Sequence, residues 1–182
     1  TIHTVLVYSL SVKVFAGMSP LRFFKGILPA AVFAFTSTSS VASLPVSKEC
    51  CDEMGVEKDI SSFVLPLGAT INMDGTAIYQ CVAAIFLAKC IGMELGLTQM
   101  ITIVVTATLA SIGTAGTSGA GMIMLAMVLE AVGIPTTYIG IIYGIDRLFD
   151  MGRTALNVVG DASCAICVNH WESKAAAKKV AK

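Results

Sequence analysis

The chain has 182 residues, of which 55% are hydrophobic and only 13% are charged, and its formal net charge is zero. Charged residues make up about a quarter of an average soluble domain, and the mean hydropathy here is +0.81, so the composition indicates a membrane protein. A neutral chain gives no electrostatic support for nucleic-acid binding, and we expect no nucleic acid among its partners.

Long uncharged stretches support the same interpretation. No charged residue lies between Leu95 and Leu129, and Asp74 is the single charge between Ile60 and Ala88. The lipid bilayer is the simplest solvent for such stretches, so we expect a multi-pass protein of the cell (plasma or inner) membrane. The chain starts without methionine and shows no signal peptide, which predicts that it is cut from something longer.

The amino-terminal segments predict a helix end followed by a hairpin. Residues 1–18 read as the end of a transmembrane helix, and Ser19-Pro20 marks a turn and a helix start. Residues 19–56 hold two short arms around the polar tip Thr36–Ser40. Because each arm is too short to cross the bilayer alone, we predict a first re-entrant hairpin.

The middle of the chain repeats this order. Residues 57–94 predict a transmembrane helix that is broken at Asn72–Thr76, and residues 95–134 predict a second re-entrant hairpin with a glycine-rich tip. That tip, Gly113–Gly121, lacks the lysine and spacing of phosphate-binding loops, and a flexible gate fits it better.

The carboxy-terminal part predicts a polar transmembrane helix over residues 135–171 and a lysine-bearing cytoplasmic tail over residues 172–182. Each hairpin thus precedes an interrupted or polar spanning helix, an arrangement typical of inverted-repeat transporters with a site near the membrane midplane. The fold class that we predict is an all-α membrane protein.

Five polar residues of the last helix share one face, because their spacing of 3 or 4 residues matches the helical repeat. They are Asp146, Asp150, Arg153, Asn157 and Asp161. Charges inside a membrane are costly, so this face must meet protein, water, ions or substrate. The alternative without a transport role is a buried ladder of salt bridges.

The chemistry of these groups suits a charged amino acid and a cation. Arg153 offers a planar fork for a carboxylate, and Asp150 one turn away could hold an ammonium group. Asn157 and Asp161 offer oxygen ligands for a hard cation, as do Asn72, Asp74 and the carbonyls freed at the break. A plain helix kink with a satisfied Asp74 is the alternative for that break.

Four motifs carry a resemblance to a known family. They are Ser43-Leu44-Pro45 after the Ser/Thr tip, the stretch from Leu65-Pro66-Leu67-Gly68 to Asn72-Met73-Asp74-Gly75-Thr76, the stretch Ala110-Ser111-Ile112-Gly113-Thr114-Ala115-Gly116, and Asp150-Met151-Gly152-Arg153-Thr154 with Asn157 and Gly160-Asp161. The chain resembles the carboxy-terminal half of the dicarboxylate/amino acid:cation (sodium or proton) symporters, in particular the bacterial glutamate and aspartate transporters.

The resemblance implies a substrate site. Arg153 and Thr76 would bind the side-chain carboxylate, Asp150 and Thr154 the amino group, and Asn157 and Ser40 the α-carboxylate. Backbone near Thr38, Thr117 and Gly121 would contribute to the α-carboxylate site. Neutral amino acid carriers of the family lack the arginine and C4-dicarboxylate carriers lack the aspartate, so having both implies an acidic amino acid, aspartate or glutamate.

The resemblance also implies sodium as the coupling ion, with no organic cofactor. One ion would sit on Asn157 and Asp161 with carbonyls of Gly68 and Asn72. A second would use carbonyls of Thr70, Ser111, Ile112 and Thr114. A third would use Asn72 and Asp74 with groups from a helix outside this chain.

As to mechanism and partners, the resemblance implies a homotrimer in the lipid bilayer, completed by a missing amino-terminal half, and elevator-type transport with the second hairpin as gate. Alternatives inside the family are proton-coupled, C4-dicarboxylate or neutral amino acid symport. A channel or structural membrane subunit is the alternative outside it. We expect no enzyme, because neither His3 nor His170 lies among the polar motifs.

Overall fold

The computed structural model describes residues 2–180 of the chain, and it describes side chains up to residue 178. All regular structure in these residues is helical, as the pattern of apolar segments predicts. The α-helices are α1 (Ser9–Ala16), α2 (Pro20–Ser37), α3 (Ser40–Glu53), α4 (Lys58–Ile71), α5 (Asp74–Cys90), α6 (Leu97–Ile112), α7 (Ala120–Ala131) and α8 (Gly140–Val180). A π-helical turn, Thr4–Tyr8, precedes α1, and a 3-10 turn, Thr136–Ile139, precedes α8.

Helices α2 and α3 form the first hairpin. Ser19 precedes α2 in an extended conformation and Pro20 occupies its first turn, where proline's missing N–H costs nothing. Only Thr38 and Ser39 separate the two helices. Thr38 has a left-handed backbone with φ of 54°, and the Ser39 side chain accepts a hydrogen bond from the backbone N–H of Ala42, which caps α3.

Helices α4 and α5 form one interrupted span. Together they cover Lys58–Cys90, 33 residues that are long and apolar enough to cross a membrane. The chain leaves helical geometry at Asn72 and Met73, within the predicted break. Among the described residues, the helices of Thr4–Ala16 and Pro20–Ser37 pass the same test only as a pair, and they are bent by 117°.

Helices α6 and α7 form the second hairpin, and both are short and apolar. The seven residues 113–119 join them. Gly119 has φ of 81°, a left-handed conformation that glycine adopts without strain. The second hairpin therefore has a longer tip than the first.

Helix α8 is 41 residues long and continues to Val180. The sequence predicts that this helix ends near Trp171, but residues 172–180 continue it without a break. The Lys179 side chain and Lys182 lie outside the described residues.

Two hydrophobic cores meet at α8. One core joins α1, α2, α3 and α4 to the part of α8 that includes Val158 and Ile166. The other joins α5, α6 and α7 to Ile142 near the start of α8. Along α8, most of the polar face lies between these two apolar contacts, so the fold places it where the halves of the molecule meet.

Much apolar surface remains uncovered. Leu21 is 80% exposed, Ile123 is 73% exposed and Phe63 is 70% exposed. Exposed apolar area on this scale indicates a surface that contacts lipid or further protein.

Candidate functional site

A small cavity lies where the two hairpin tips, the start of α5 and the polar face of α8 converge. Its volume is ≈ 10 Å³, room for about one water molecule. All nine residues predicted to bind substrate line it: Thr38, Ser40, Thr76, Thr117, Gly121, Asp150, Arg153, Thr154 and Asn157. Met73, Thr114, Ala115 and Gly116 complete the lining.

Arg153 is the buried cation of this cavity, with a side chain that is 4% exposed. Its Nε donates to Asp150 Oδ1 at 2.9 Å, and its Nη1 donates to Asp146 Oδ1 at 3.3 Å. The predicted salt-bridge ladder is therefore present. It is incomplete, because Nη2 is buried without a hydrogen-bond partner among the described residues.

Tyr79 and Gly121 both lie close to the guanidinium group of Arg153. The ring of Tyr79 lies below it, with Arg153 Cζ 4.6 Å from the ring centroid, which is cation–π geometry. On α7, a Cβ added to Gly121 would lie 2.9 Å from Arg153 Cζ. Only glycine lets the start of α7 approach this closely, so the second hairpin and α8 are in direct contact.

Asp150 links α8 to the second tip. Its Oδ2 accepts hydrogen bonds from the backbone N–H of Gly119 at 3.1 Å and from the Ser118 hydroxyl at 3.4 Å. Arg147 Nη1 also donates to Ser118 Oγ, at 2.5 Å. The residue predicted to bind an ammonium group is thus engaged by protein donors when the cavity is closed.

The two tips are also bonded to each other. The Gly116 carbonyl accepts from Ser39 Oγ at 2.9 Å and from the Val41 N–H at 3.2 Å. Thr38 Oγ1 lies 2.9 Å from Ser118 Oγ. These three contacts hold the second tip over the cavity and explain its small volume.

Asn157 joins α8 to the break between α4 and α5. Its Oδ1 accepts from the Gly75 N–H at 2.8 Å, and its Nδ2 donates to Thr76 Oγ1 at 3.3 Å. Both bonds reach the first turn of α5, so this amide fixes the end of the break against the substrate cavity.

The first predicted sodium set is brought together. Asp161 Oδ1 accepts from Asn72 Nδ2 at 2.8 Å, and a Cβ on Gly68 would lie 2.5 Å from the same oxygen. Asn72 Nδ2 also lies 3.4 Å from the Asn157 carbonyl oxygen. Gly68, Asn72, Asn157 and Asp161 therefore form one cluster of oxygen-bearing groups.

The second predicted set is spread over two elements that touch. The hydroxyls of Thr70, Ser111 and Thr114 bond to carbonyls of their own segments at 2.8 to 2.9 Å. A Cβ on Gly116 would lie 2.7 Å from the Ala69 carbonyl oxygen, which places the second tip against the end of α4. The predicted carbonyl ligands, including Ile112, thus lie on both sides of that contact.

Asp74, of the third predicted set, contacts the amino-terminal turn. Its Oδ2 accepts from the Tyr8 hydroxyl and lies 2.7 Å from His3 Nε2. The expectation that His3 lies apart from the polar motifs is wrong, because the folded chain returns the first turn to the break. The side chains of Asn72 and Asp74 contact different partners, Asp161 and this turn respectively.

Sequence reasoning missed four residues at the site: His3, Tyr8, Tyr79 and Gln80. Gln80 is fully buried, and its Nε2 lies 3.4 Å from the Gly121 carbonyl oxygen. A usable signal existed for Gln80, since it follows Thr76 by one helical turn and shares its face. For His3 and Tyr8 the signal was only their polarity within an apolar segment.

Residues 2–180 contain no group of three or more His, Cys, Asp or Glu side chains arranged to hold a metal. The six cysteines are free thiols, and Cys50, Cys51 and Cys167 are buried as packing residues.

Comparisons with known proteins match the chain to one family model and to several amino acid transporters. The model of the "Sodium:dicarboxylate symporter family" matches residues 1–171. Neutral amino acid transporter A of Homo sapiens is 44% identical over 178 residues, covering 97% of this chain and 34% of the relative. Neutral amino acid transporter B(0) of Oryctolagus cuniculus is 46% identical over 171 residues, covering 93% and 32%.

An excitatory amino acid transporter of Caenorhabditis elegans is 44% identical over 171 residues, covering 93% of this chain and 34% of the relative. The chain thus spans about a third of the length of the curated relatives it matches. A family model that covers nearly the whole chain, together with the apolar helices, confirms the predicted location in the cell membrane. The chain belongs to the sodium:dicarboxylate symporter family.

Proposed function

We propose that the complete protein carries an acidic amino acid, aspartate or glutamate, across the cell membrane in symport with sodium. The observation that carries this proposal is Arg153: it is buried at a cavity lined by both hairpin tips, and its Nη2 has no partner among the described residues. A buried donor without an acceptor is costly, and a second carboxylate on the substrate would remove that cost.

Acidic substrates fit Arg153 better than neutral ones do. Asp146 and Asp150 use Nη1 and Nε of the guanidinium, so one direction remains for a ligand. A neutral side chain would leave Nη2 desolvated and unpaired, and sites built to hydrogen-bond a polar group discriminate strongly against ligands that lack it. Thr76, also in the lining, would assist Arg153.

The other lining residues would bind the ammonium and α-carboxylate groups of the substrate. Asp150 and Thr154 would receive its ammonium, while Asn157, Ser40 and backbone near Thr38, Thr117 and Gly121 would receive its α-carboxylate. A cavity of ≈ 10 Å³ cannot admit an amino acid, so the second tip must open. Its bonds to Ser39, Val41 and Asp150 are the ones that opening would break.

Sodium is the coupling ion of this proposal. The cluster of Gly68, Asn72, Asn157 and Asp161 supports one site, because it concentrates carboxylate, amide and carbonyl oxygens beside the substrate cavity. We propose a second site from carbonyls of Thr70, Ser111, Ile112 and Thr114, and a third that includes Asn72 and Asp74.

We also propose a membrane topology and an assembly for the complete protein. The two helical hairpins would be re-entrant, and each, with the span that follows it, would form one half of an inverted repeat. We propose the predicted segment bounds as the membrane topology, with residues 172–182 on the cytoplasmic side. The remaining amino-terminal part would supply the scaffold of a homotrimer against which this part moves as an elevator. Within the family we propose the bacterial glutamate/aspartate branch, on the strength of the motif Asp150-Met151-Gly152-Arg153-Thr154.

A second candidate is a neutral amino acid symporter. It is favoured by the names of two relatives that are 44% and 46% identical to this chain. In that case Arg153 would serve only the salt-bridge ladder with Asp146 and Asp150.

The test is uptake by the full-length protein in proteoliposomes. We expect radiolabelled aspartate to accumulate only with an inward sodium gradient, and glutamate but not serine or succinate to compete. Uptake driven by a proton gradient and indifferent to sodium would refute sodium coupling. Serine uptake without aspartate uptake would favour the second candidate.

A further inference from the structure

The π-helical turn Thr4–Tyr8 has a geometric consequence at Asp74. In an α-helix, residues five apart point about 140° away from each other. The wider π turn brings His3 and Tyr8 to one side, with their ring centroids 5.1 Å apart in edge-to-face geometry. Both rings then reach the same oxygen, Asp74 Oδ2.

Both oxygens of the Asp74 carboxylate are engaged. Oδ2 accepts from Tyr8 and faces His3, and Oδ1 accepts from the backbone N–H of Gly75 at 3.0 Å. The carboxylate sits at the first residue of α5, beside the unwound Asn72-Met73. Its orientation is therefore set from two sides, by the break and by the π turn.

Tyr8 also lies close to the cluster of Gly68, Asn72, Asn157 and Asp161 that we propose as a sodium site. Its hydroxyl lies 3.2 Å from the Leu156 carbonyl oxygen of α8. A Cβ on Gly160 would lie 2.8 Å from Tyr8 Oη and 2.6 Å from Asn72 Nδ2, so these two polar groups are neighbours across one glycine. Tyr8 is only 4% exposed, and it lies between Asp74 and the Asn72–Asp161 pair.

We propose that Tyr8 is a positioning residue for the coupling ion, which holds the Asp74 carboxylate in the orientation that binds sodium. The inference rests on the proposed role of Asp74 as a sodium ligand. Tyr8 is absent from the lining of the substrate cavity, so it acts on the ion and not on the amino acid. A carboxylate that is already oriented loses less freedom when the cation binds.

The test separates sodium affinity from substrate affinity with the variant Tyr8→Phe in the full-length protein. Phenylalanine keeps the ring and its packing and removes only the hydroxyl. Sodium binding is measured without substrate, from the rise in unfolding temperature as sodium is titrated. We expect the apparent sodium Kd to rise about tenfold, in line with a lost hydrogen bond to a charged group. The KM for aspartate at saturating sodium should not change.

Tyr143→Phe is the matched control, since Tyr143 is 72% exposed on α8, and it should leave both constants unchanged. An unfolding temperature that drops equally with and without sodium, at constant sodium Kd, would make Tyr8 a packing residue and overturn the inference. An unchanged Tyr8→Phe protein would overturn it as well. A wild-type protein that sodium does not stabilise would instead reject the proposed sodium coupling itself.

Discussion

The two hairpins reach the same cavity but are built differently. The first reverses over Thr38 and Ser39 alone, and Ser39 caps its own second helix. The second reverses over the seven residues 113–119. The backbone and side chains of that tip bond outward, to the first tip and to Asp150 of α8.

The two hairpins also pack against different helices. Helices α2 and α3 both pack against α8, and α3 also buries Ser40, Ser43 and Ser47. Helices α6 and α7 pack mainly on each other and on α5. Because a segment held by few contacts outside itself opens most easily, we propose that the second hairpin moves while the first stays fixed.

The largest loss of uptake should come from a substitution that prevents the second tip, residues 113–119, from closing. In Gly116→Val, the new Cβ would lie 2.7 Å from the Ala69 carbonyl oxygen and 2.9 Å from Val41 Cγ2. The Ala69 backbone cannot yield while the tip stays closed, and the Val41 side chain leaves no room beside it, so we expect aspartate uptake by the full-length protein to fall about a hundredfold. The measurement is initial uptake rate at equal amounts of folded protein.

Gly113→Ala is the matched control from the same tip. A Cβ there would lie 3.7 Å from Met124 Cε and 3.8 Å from the Ala110 carbonyl oxygen, which are ordinary contacts. Its uptake should remain near wild type. If Gly116→Val transports normally, the second tip does not need this contact and the comparison between the hairpins fails.

A smaller effect should follow from loosening the closed tip. Ser118→Ala removes the contacts of its hydroxyl with Thr38, Asp150 and Arg147. With about 1 kcal/mol for a typical hydrogen bond, we expect the KM for aspartate to rise about fivefold. Ser62→Ala is the control, because within residues 2–180 the exposed Ser62 hydroxyl bonds only to the Lys58 carbonyl of its own helix. Equal KM values for the two variants would contradict closure through Ser118.

The smallest effect concerns the anchor of the fixed hairpin. Asp52 at the end of α3 accepts from Ser61 Oγ of α4 at 2.6 Å, and Lys48 Nζ lies 3.4 Å from its other oxygen. The Ser61 bond, aided by Lys48, lowers the pKa of Asp52 below its usual value of 3.8. The stabilisation is therefore present at neutral pH and is lost as the pH falls through this lowered pKa.

The test variant is Asp52→Asn. The control is Glu49→Gln, which removes an exposed charge from the same helix. At neutral pH we expect Asp52→Asn to cost about 1 kcal/mol or less, since the site is largely solvated. The difference between wild type and Asp52→Asn should disappear in acid, as measured by unfolding temperature. A constant difference across that range would show that the carboxylate charge is not the cause.

The sequence allows much of this organisation to be predicted. The polar face of α8, the break after Ile71 and both hairpin tips follow from hydrophobic patterning and from glycine and proline positions. All nine predicted substrate residues line one cavity. The full set of nine follows from the resemblance to the family, whereas local patterning alone predicts the polar face of α8 and the break at Asn72–Thr76.

The rest depended on contacts that no local pattern records. The contact of His3 and Tyr8 with Asp74 spans 71 and 66 residues of sequence and requires a π turn. The continuation of α8 to Val180 was also missed, since its last turns are polar and lack an apolar stripe. Tertiary packing determines the contact with Asp74. The intrinsic helix propensity of alanine and lysine favours the extension of α8.

The most direct test of the central claim is the substitution Arg153→Gln in the full-length protein, with Arg22→Gln on exposed Arg22 as control. The readout is the ratio of aspartate to serine uptake, because a folding defect would lower both. Removing the buried guanidinium should reduce this ratio about a hundredfold, while the control keeps it. An unchanged ratio in Arg153→Gln would contradict the proposal that this site recognises an acidic amino acid.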